Sequence, residues 1–383
     1  MAMCPAIKVL HGLLNQLERN PNRRRMPSNT LPDREWRAAE WEDAERCLKE
    51  AATVGAIHLR YGRRELSHII ERITVEDPRA LYAFLGREPA TDRAEVAVKR
   101  LLDGIGETAV PAIRQAISAM GDAWSRQKRA FGLSEYDVAE AEVFLKALDA
   151  VLLHDPDGMD MRTFSRRLVG DSKAVERNAS RIVHVLREHG KVPDGIGPME
   201  ALATIGLEKF PHPIFIAGPL ACDGVRLDTL PYLGVPLDVA LMLDPVRDVG
   251  SILCIENLAS FQRHIREARN ANDVVIYTGG FPSRAVITAL RHLCRFCPER
   301  VFHWGDIDPF GLNIAHFISR SLPVPMRLHL MTEEIAASHG TKSEPARFGN
   351  LFGDNSPVAP LARFLASPRA MSMEQEEIDP CRP

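Results

Sequence analysis

Three acidic residues, set apart by what precedes them, hold the chemistry this chain can do. Glu256 closes the apolar run Ile252-Leu253-Cys254-Ile255, and Asp306 and Asp308 stand two apart in Trp304-Gly305-Asp306-Ile307-Asp308. Each follows a segment that reads as a buried strand, and open α/β sheets place ligands just beyond the carboxyl ends of their strands. Carboxylate oxygens are hard donors suited to Mg2+ or Mn2+, and magnesium is commonly held by one or two carboxylates with the other positions left to water and substrate phosphate. On extended backbone two residues that are two apart point to the same side, so Asp306 and Asp308 could share an ion or hold adjacent ones, with Glu256 completing the group from a neighbouring strand. The motif contains no Lys or Arg, and three gathered carboxylates repel one another unless cations bind. Asp308 precedes Pro309 and reads equally as a helix N-cap.

The elements that must position these acids follow the same logic. Beyond Pro211 short apolar runs alternate with helical stretches, the pattern of an α/β layer with a parallel sheet. Strands are expected at 252–255, 274–277 and 301–304, with another across 326–331. Helices are expected from about Pro282 to Leu293 and from Pro309 through Ile318. Gly279 and Gly280 interrupt the second strand; they read as a tight turn or as a place where a nucleic-acid backbone approaches closely. Cys294 and Cys297 form a lone CxxC without a second pair, a weak zinc signal. His303 and Trp304 read as strand packing residues, with a supporting role for His303 behind the metal ligands as the alternative.

Upstream, the pattern from Glu35 to Arg72 is mainly helical, with a short strand candidate at 56–59, and 20–32 reads as a loop carrying Arg23, Arg24 and Arg25. Two more helical blocks are expected at 91–120 and 134–153. Met161 to His189 reads as a helix-turn-helix: a short helix to Leu168, a turn at Gly170-Asp171, and a longer helix capped by Ser172. Val175, Ala179, Ile182, Val183 and Leu186 recur at helical spacing and should face inward, whereas Lys173, Arg177 and Arg181 lie on another face. From Arg162 to Arg187, Arg166 included, seven Lys or Arg stand against Asp171 and Glu176, a local charge of +5. Such a stripe suits phosphate contacts, and an ordinary solvated face is the other reading.

Bulk properties only bound the answer. A chain of 383 residues with 45% hydrophobic and 26% charged residues can fold into two or three domains, and its net charge of −3 means that any nucleic-acid contact must come from local basic clusters. Seven scattered cysteines suggest a reducing cytoplasmic setting rather than a disulfide framework. No run approaches eighteen consecutive apolar residues and Met1–Asn15 lacks a long apolar core, so neither membrane insertion nor export is expected.

Several segments in order carry a family resemblance. Cys254-Ile255-Glu256-Asn257-Leu258, Tyr277-Thr278-Gly279-Gly280-Phe281-Pro282-Ser283 and Trp304-Gly305-Asp306-Ile307-Asp308-Pro309-Phe310-Gly311 together resemble the Toprim half of the Wadjet JetD (MksG) family, itself similar to the A subunit of topoisomerase VI. Gly55-Ala56-Ile57-His58-Leu59 and Leu85-Gly86-Arg87-Glu88-Pro89 resemble the family's helical arm, and Gly170-Asp171-Ser172-Lys173 its winged-helix-like middle domain. Glu374-Gln375-Glu376 resembles a tail motif of the family, a solvated helix being the plainer reading. The resemblance implies an α+β multidomain fold: a helical arm at 1–130, a winged-helix-like (CAP-like) DNA-binding domain at 131–210 and a Toprim α/β domain with a mainly parallel sheet at 211–383. It also implies a homodimeric nuclease of double-stranded DNA that uses Mg2+ or Mn2+ and works beside an SMC-type motor complex, JetABC, against plasmids. Carried over residue by residue, Glu256 would bind metal or assist a proton transfer, and Asp306 and Asp308 would bind the ions.

The topoisomerase relatives cut with a tyrosine in the winged-helix domain, yet this chain has no Tyr between Tyr136 and Tyr232. Hydrolysis by metal-activated water is therefore expected. Tyr61, flanked by Arg60, Arg63 and Arg64, keeps a tyrosine-dependent route open, and a non-catalytic DNA-binding module with a degenerate acid site is the other alternative.

Overall fold

The computed structural model describes residues 4–31, 36–106, 110–156, 158–348 and 356–383. Glu35, where the first helical pattern is expected to begin, and residue 32, the end of the expected loop, lie outside the described residues. Contacts divide the chain into two compact units, Met1–Leu152 and Leu153–Pro383.

In the first unit, α1 (Pro5–Arg19), β1 (Ser28–Thr30), α2 (Ala38–Thr53), β2 (Ile57–Tyr61), β3 (Ile70–Val75) and α3 (Pro78–Leu85) build one layer of helices on an antiparallel sheet of order β1-β3-β2. Leu10, Leu13 and Leu14 recur at helical spacing and bury with Leu48, Ile57, Ile73 and Leu81 in the shared core. The helix expected to reach Arg72 thus ends at Thr53. Beyond it Ile57, Ile70, Ile73 and Val75 are β-branched residues that pack inward from strands, and this outweighs the helical reading of the segment. The expected loop at 20–32 likewise contains β1. Glu18, at the end of α1, is buried and accepts from Tyr82 Oη at 2.8 Å and the Ala90 amide at 2.9 Å, with Arg87 and Gln127 donating to its other oxygen. Three further helices complete the unit: α4 (Ala90–Ile105), α5 (Pro111–Trp124) and α6 (Val138–Leu153).

The second unit opens with α7 (Met161–Val169), α8 (Ala174–Arg177), α9 (Ala179–Glu188) and α10 (Pro198–Thr204). Asp160 caps α7 by accepting from the amides of Arg162 and Thr163. Val175, Ala179, Ile182, Val183 and Leu186 are all buried, as their spacing predicts. The expected single long helix is instead two, and Ser172 does not cap it. Asp171 accepts from the Lys173 amide at 2.9 Å, and Asn178 Nδ2 donates to the Ala174 carbonyl at 2.9 Å, so a side chain competes with the helical ladder where α8 gives way to α9.

There follow β4 (Ile214–Ala217), β5 (Leu220–Cys222), β6 (Val225–Arg226), β7 (Leu233–Val235), α11 (Leu237–Leu241), β8 (Asp244–Pro245), β9 (Ser251–Ile255), α12 (Leu258–Glu267), β10 (Asp273–Tyr277), α13 (Arg284–Leu293), β11 (Val301–Trp304), α14 (Pro309–Ser321), β12 (Met326–Leu328), α15 (Glu333–His339), β13 (Thr341–Lys342), α16 (Ala359–Leu365) and β14 (Met371–Ser372). A six-stranded sheet has the order β12-β11-β9-β10-β4-β7. The first four strands are parallel, and β4 and β7 join antiparallel, so the sheet is mixed rather than parallel throughout. Every residue of β9 is buried, which is why its sequence is an unbroken apolar run. Crossovers through α12, α13 and α14 bring the carboxyl ends of β9, β10 and β11 to one edge.

Candidate functional site

Glu256 leaves the end of β9 with its amide donated to the Trp304 carbonyl at 3.1 Å, across the β9–β11 pair. Only 9% of the residue is exposed, and its Oε2 has no hydrogen-bond partner among the described residues. Burial first, and then the charge of Asp306, pushes this carboxyl up to about 8; a hydrogen bond from the Asp306 amide partly offsets the rise, and Asp308 and Glu374 add to it. Gly305 gives it room. A Cβ at this position would run into Glu256 Oε2 and lie 3.0 Å from His303 Nε2, so only glycine leaves the space that both atoms face. His303 is fully buried with both ring nitrogens unpartnered among the described residues, and burial lowers its pKa to about 3, so it is neutral.

Asp306 and Asp308 diverge in role. Asp306 Oδ1 accepts from the Gln375 amide at 2.7 Å. Burial, opposed by that hydrogen bond and helped by Glu374, Asp308 and Glu376, pushes its carboxyl up to about 6. Asp308 is the N-cap of α14, its Oδ1 accepting from the Gly311 amide at 2.6 Å. Asp308 thus takes the capping role read for it, and its charge acts on Glu256 and Asp306.

Two further acids arrive from the far end of the chain. Ligand oxygens of Asp306, Glu374 and Glu376 all lie within 4.8 Å of one another, a spacing that one cation could span. The segment is held by a bridge in which Ile307 and Met373 exchange amide-to-carbonyl bonds of 2.9 and 3.0 Å. Gln375, fully buried, donates to the Trp304 carbonyl at 3.1 Å and accepts from the Asn257 amide at 2.9 Å. Asn257 caps α12 through Oδ1 and donates from Nδ2 to Glu376. One buried glutamine thus fastens the two flanking glutamates against the ends of β9 and β11. The tightest carboxylate group among the described residues is Asp306 with these two glutamates, while Glu256 and Asp308 border it. Residue types near the strand ends could not reveal this pair; the signal in the sequence is the resemblance of Glu374-Gln375-Glu376 to a family tail motif, for which a solvated helix is the plainer reading.

A cleft of about 530 Å³ opens over the group, lined by Glu256, Asp306, Glu376, Gln262, Tyr277 and Gly280 among others. Gly279 and Gly280 have φ of 68° and 73°, a left-handed turn that keeps this wall free of side chains. The basic stripe lies elsewhere in the unit. Arg166 and Lys173 are exposed, Arg166 donating to the Gly170 carbonyl at 2.7 Å; Arg177 pairs with Asp171, and Arg181 donates to Asn178 at 2.6 Å. Cys294 and Cys297 are free thiols.

Residues 236–379 match the family described as "Wadjet protein JetD, C-terminal", and 13–187 match one described as "Uncharacterized protein conserved in bacteria N-term". A "Wadjet protein JetD" of Bacillus cereus (strain Q1) is 26% identical over 321 residues, which cover 80% of this chain and 75% of that protein. The C-terminal part of the chain, 236–379, belongs to the Wadjet JetD family. The JetD C-terminal match contains Glu256, Asp306, Asp308, Glu374 and Glu376, so the acids from strand ends and tail fall within one family segment. The N-terminal match runs from α1 into α9 and spans the division between the two units. No helix among the described residues is long and apolar enough to cross a membrane.

Proposed function

We propose that this JetD-family chain is a metal-dependent endonuclease of double-stranded DNA, with Glu256, Asp306, Asp308, Glu374 and Glu376 forming a site for Mg2+ or Mn2+. The observation that carries the reading is the buried, unpartnered Oε2 of Glu256 beside an acid group whose oxygens lie within 4.8 Å of one another. A lone buried carboxylate oxygen is costly, and a carboxylate cluster without a neutralising partner is more so. Oxygen-only donors of this kind fit a hard divalent ion. Such an ion, when bound, supplies a more acidic bound water and neutralises charge on a phosphoryl oxygen.

The chain's own residues divide the remaining tasks. Asp306, Glu374 and Glu376 offer the closely spaced oxygens. Asp308, fixed by its capping bond, adds negative potential from the start of α14. Glu256, held protonated near neutral pH until a cation approaches, is the group able to exchange a proton at the rim of the cleft. The Gly279-Gly280 turn leaves backbone open for a phosphodiester to lie against. In this proposal the three-part organisation is a helical arm, a winged-helix-like segment bearing Arg166, Lys173, Arg177 and Arg181 on DNA phosphates, and a Toprim domain. The protein acts as a homodimer with the SMC-type JetABC complex in defence against plasmids.

Incubating purified protein with supercoiled plasmid and Mn2+ tests the reading. Nicked or linear product from wild type and none from Asp306→Ala is the expected result. Binding without cutting, also in the presence of the partner complex, would make the protein a non-catalytic module. DNA ends that stay with protein through phenol extraction, and lose that link in Tyr61→Phe, would favour the tyrosine-dependent route instead.

A further inference from the structure

Helix α14 starts at Asp308 in the acid group and ends thirteen residues on in a very different electrostatic setting. Around its last turn lies a cavity of about 680 Å³, lined by Lys191, Arg320, Arg347, His316, Phe281 and Phe317 with the loop 190–195. Lys191, Arg320 and Arg347 are exposed, and among the described residues none has an ion-pair or side-chain hydrogen-bond partner. The cavity's one acid, Asp194, is almost fully exposed and faces Arg187 at 3.9 Å. Arg187 also donates to the carbonyls of Pro193 and Ile196, so the loop that carries Lys191 is anchored in place. His316 is half-buried and bonded to Ser356 Oγ at 3.0 Å; burial and then Arg320 lower its pKa, so the notch owes its charge to the three long side chains.

We propose that this notch is a second DNA contact, taking phosphates of the duplex whose scissile bond lies at the acid group; this rests on the nuclease reading given above. Three convergent cations facing one exposed carboxylate already shared with Arg187 leave uncompensated positive charge, which polyanions satisfy. Spacing supports the same ligand. From Asp308 to Arg320 the helix rises about 1.5 Å per residue, roughly 18 Å, and the phosphates of one DNA strand repeat every ~3.4 Å along the duplex axis. A duplex whose axis runs along α14 therefore offers the notch phosphates about five base pairs from the acid group. Between the two, Phe281, which lines the notch, directly follows Gly280, which lines the acid cleft, so consecutive residues of one segment border the two openings.

Fluorescence anisotropy with a labelled linear duplex in EDTA measures the contact without cutting. Each phosphate contact contributes about 0.9 to the slope of log affinity against log salt. The Arg320→Ala/Arg347→Ala double variant should lower that slope by about 1.8 and weaken binding roughly 60-fold at ~0.1 M salt. The Arg320→Lys/Arg347→Lys variant should retain the slope, and unchanged melting temperatures verify folding, since both positions are exposed. A slope equal to wild type in the double alanine variant overturns the notch. If that happens while wild type still nicks plasmid, the nuclease reading stands without it; if the slope falls as expected in a protein that never cuts, the notch stands and the nuclease reading fails.

Discussion

Cation binding should release close to one proton per chain at neutral pH, and Glu256 should be its source. Its carboxyl is pushed up to about 8, so at pH 7 about 0.9 of a proton resides there, while Asp306, at about 6, holds about 0.1. A divalent ion needs both groups ionised, and the sum, about one proton, must leave as Mn2+ binds. Apparent affinity should then climb roughly tenfold per pH unit between pH 6 and 8 and level off above. Titration calorimetry in buffers of differing ionisation enthalpy reads the proton count directly. Glu256→Gln should cut the release at pH 7 to about 0.1, since only Asp306 then contributes. The stability linkage has a definite sign. A carboxyl whose folded pKa exceeds its unfolded value stabilises the fold at low pH and loses that contribution as pH rises through the folded value. The metal-free protein should therefore lose stability on the order of a few kcal/mol, and melt at lower temperature, as pH rises from about 5 to 8, and Mn2+ should restore most at the upper end. Mn2+ binding that is independent of pH across this window, with no proton released, would refute the buried-acid argument.

Two substitutions probe the scaffold around these acids, and a third probes the first unit. Gly305→Ala places a methyl group against Glu256 Oε2 and His303 Nε2 and forces at least the Glu256 carboxyl to shift, so thermal unfolding should show a loss of about 1–3 kcal/mol together with weakened Mn2+ binding. Gln375→Ala strips partners from the Asn257 amide and the Trp304 carbonyl; it should cost about 2–3 kcal/mol and weaken metal binding by about 10–100-fold, whereas an unaltered Mn2+ isotherm would show that the tail glutamates do not depend on it. Glu18→Ala removes a buried acceptor from Tyr82, Arg87, Ala90 and Gln127 in the first unit; denaturant unfolding should report a loss of about 3–5 kcal/mol with Mn2+ binding by the second unit unchanged.

What was legible in the sequence followed from periodicity and from strand ends. The runs 252–255, 274–277 and 301–304 are buried on both faces, so composition alone marks them as strands, and the acids at two of their ends follow directly. The inward face of α8 and α9 was legible for the same reason, since Val175, Ile182 and Leu186 have nowhere else to go. The break at Asn178 was not, because a side chain that bonds to the Ala174 carbonyl competes with the backbone only once the turn before it is built. Nor were β2 and β3 separable from the helix before them, as short β-branched segments satisfy both periods until a sheet partner decides.

The tail is the instructive case. Glu374 and Glu376 are more than sixty residues from Asp306 in sequence and exposed on their own element, so nothing local distinguishes them from a solvated turn. Their placement is set by a side chain between them that carries no charge. Gln375 has a donor and an acceptor, and each is matched to a backbone group at a strand end: the Trp304 carbonyl, which also accepts from the Glu256 amide, and the Asn257 amide. Burying it unbonded would cost a few kcal/mol, so the register of the tail is specified by hydrogen-bond satisfaction, and the two acids follow by alternation on either side. The same logic explains why a cluster of repelling carboxylates can be built without losing the fold. Neutral bonds hold the backbone, Asp308 is tied to a helix end, and Glu256 relieves the remaining charge by retaining its proton.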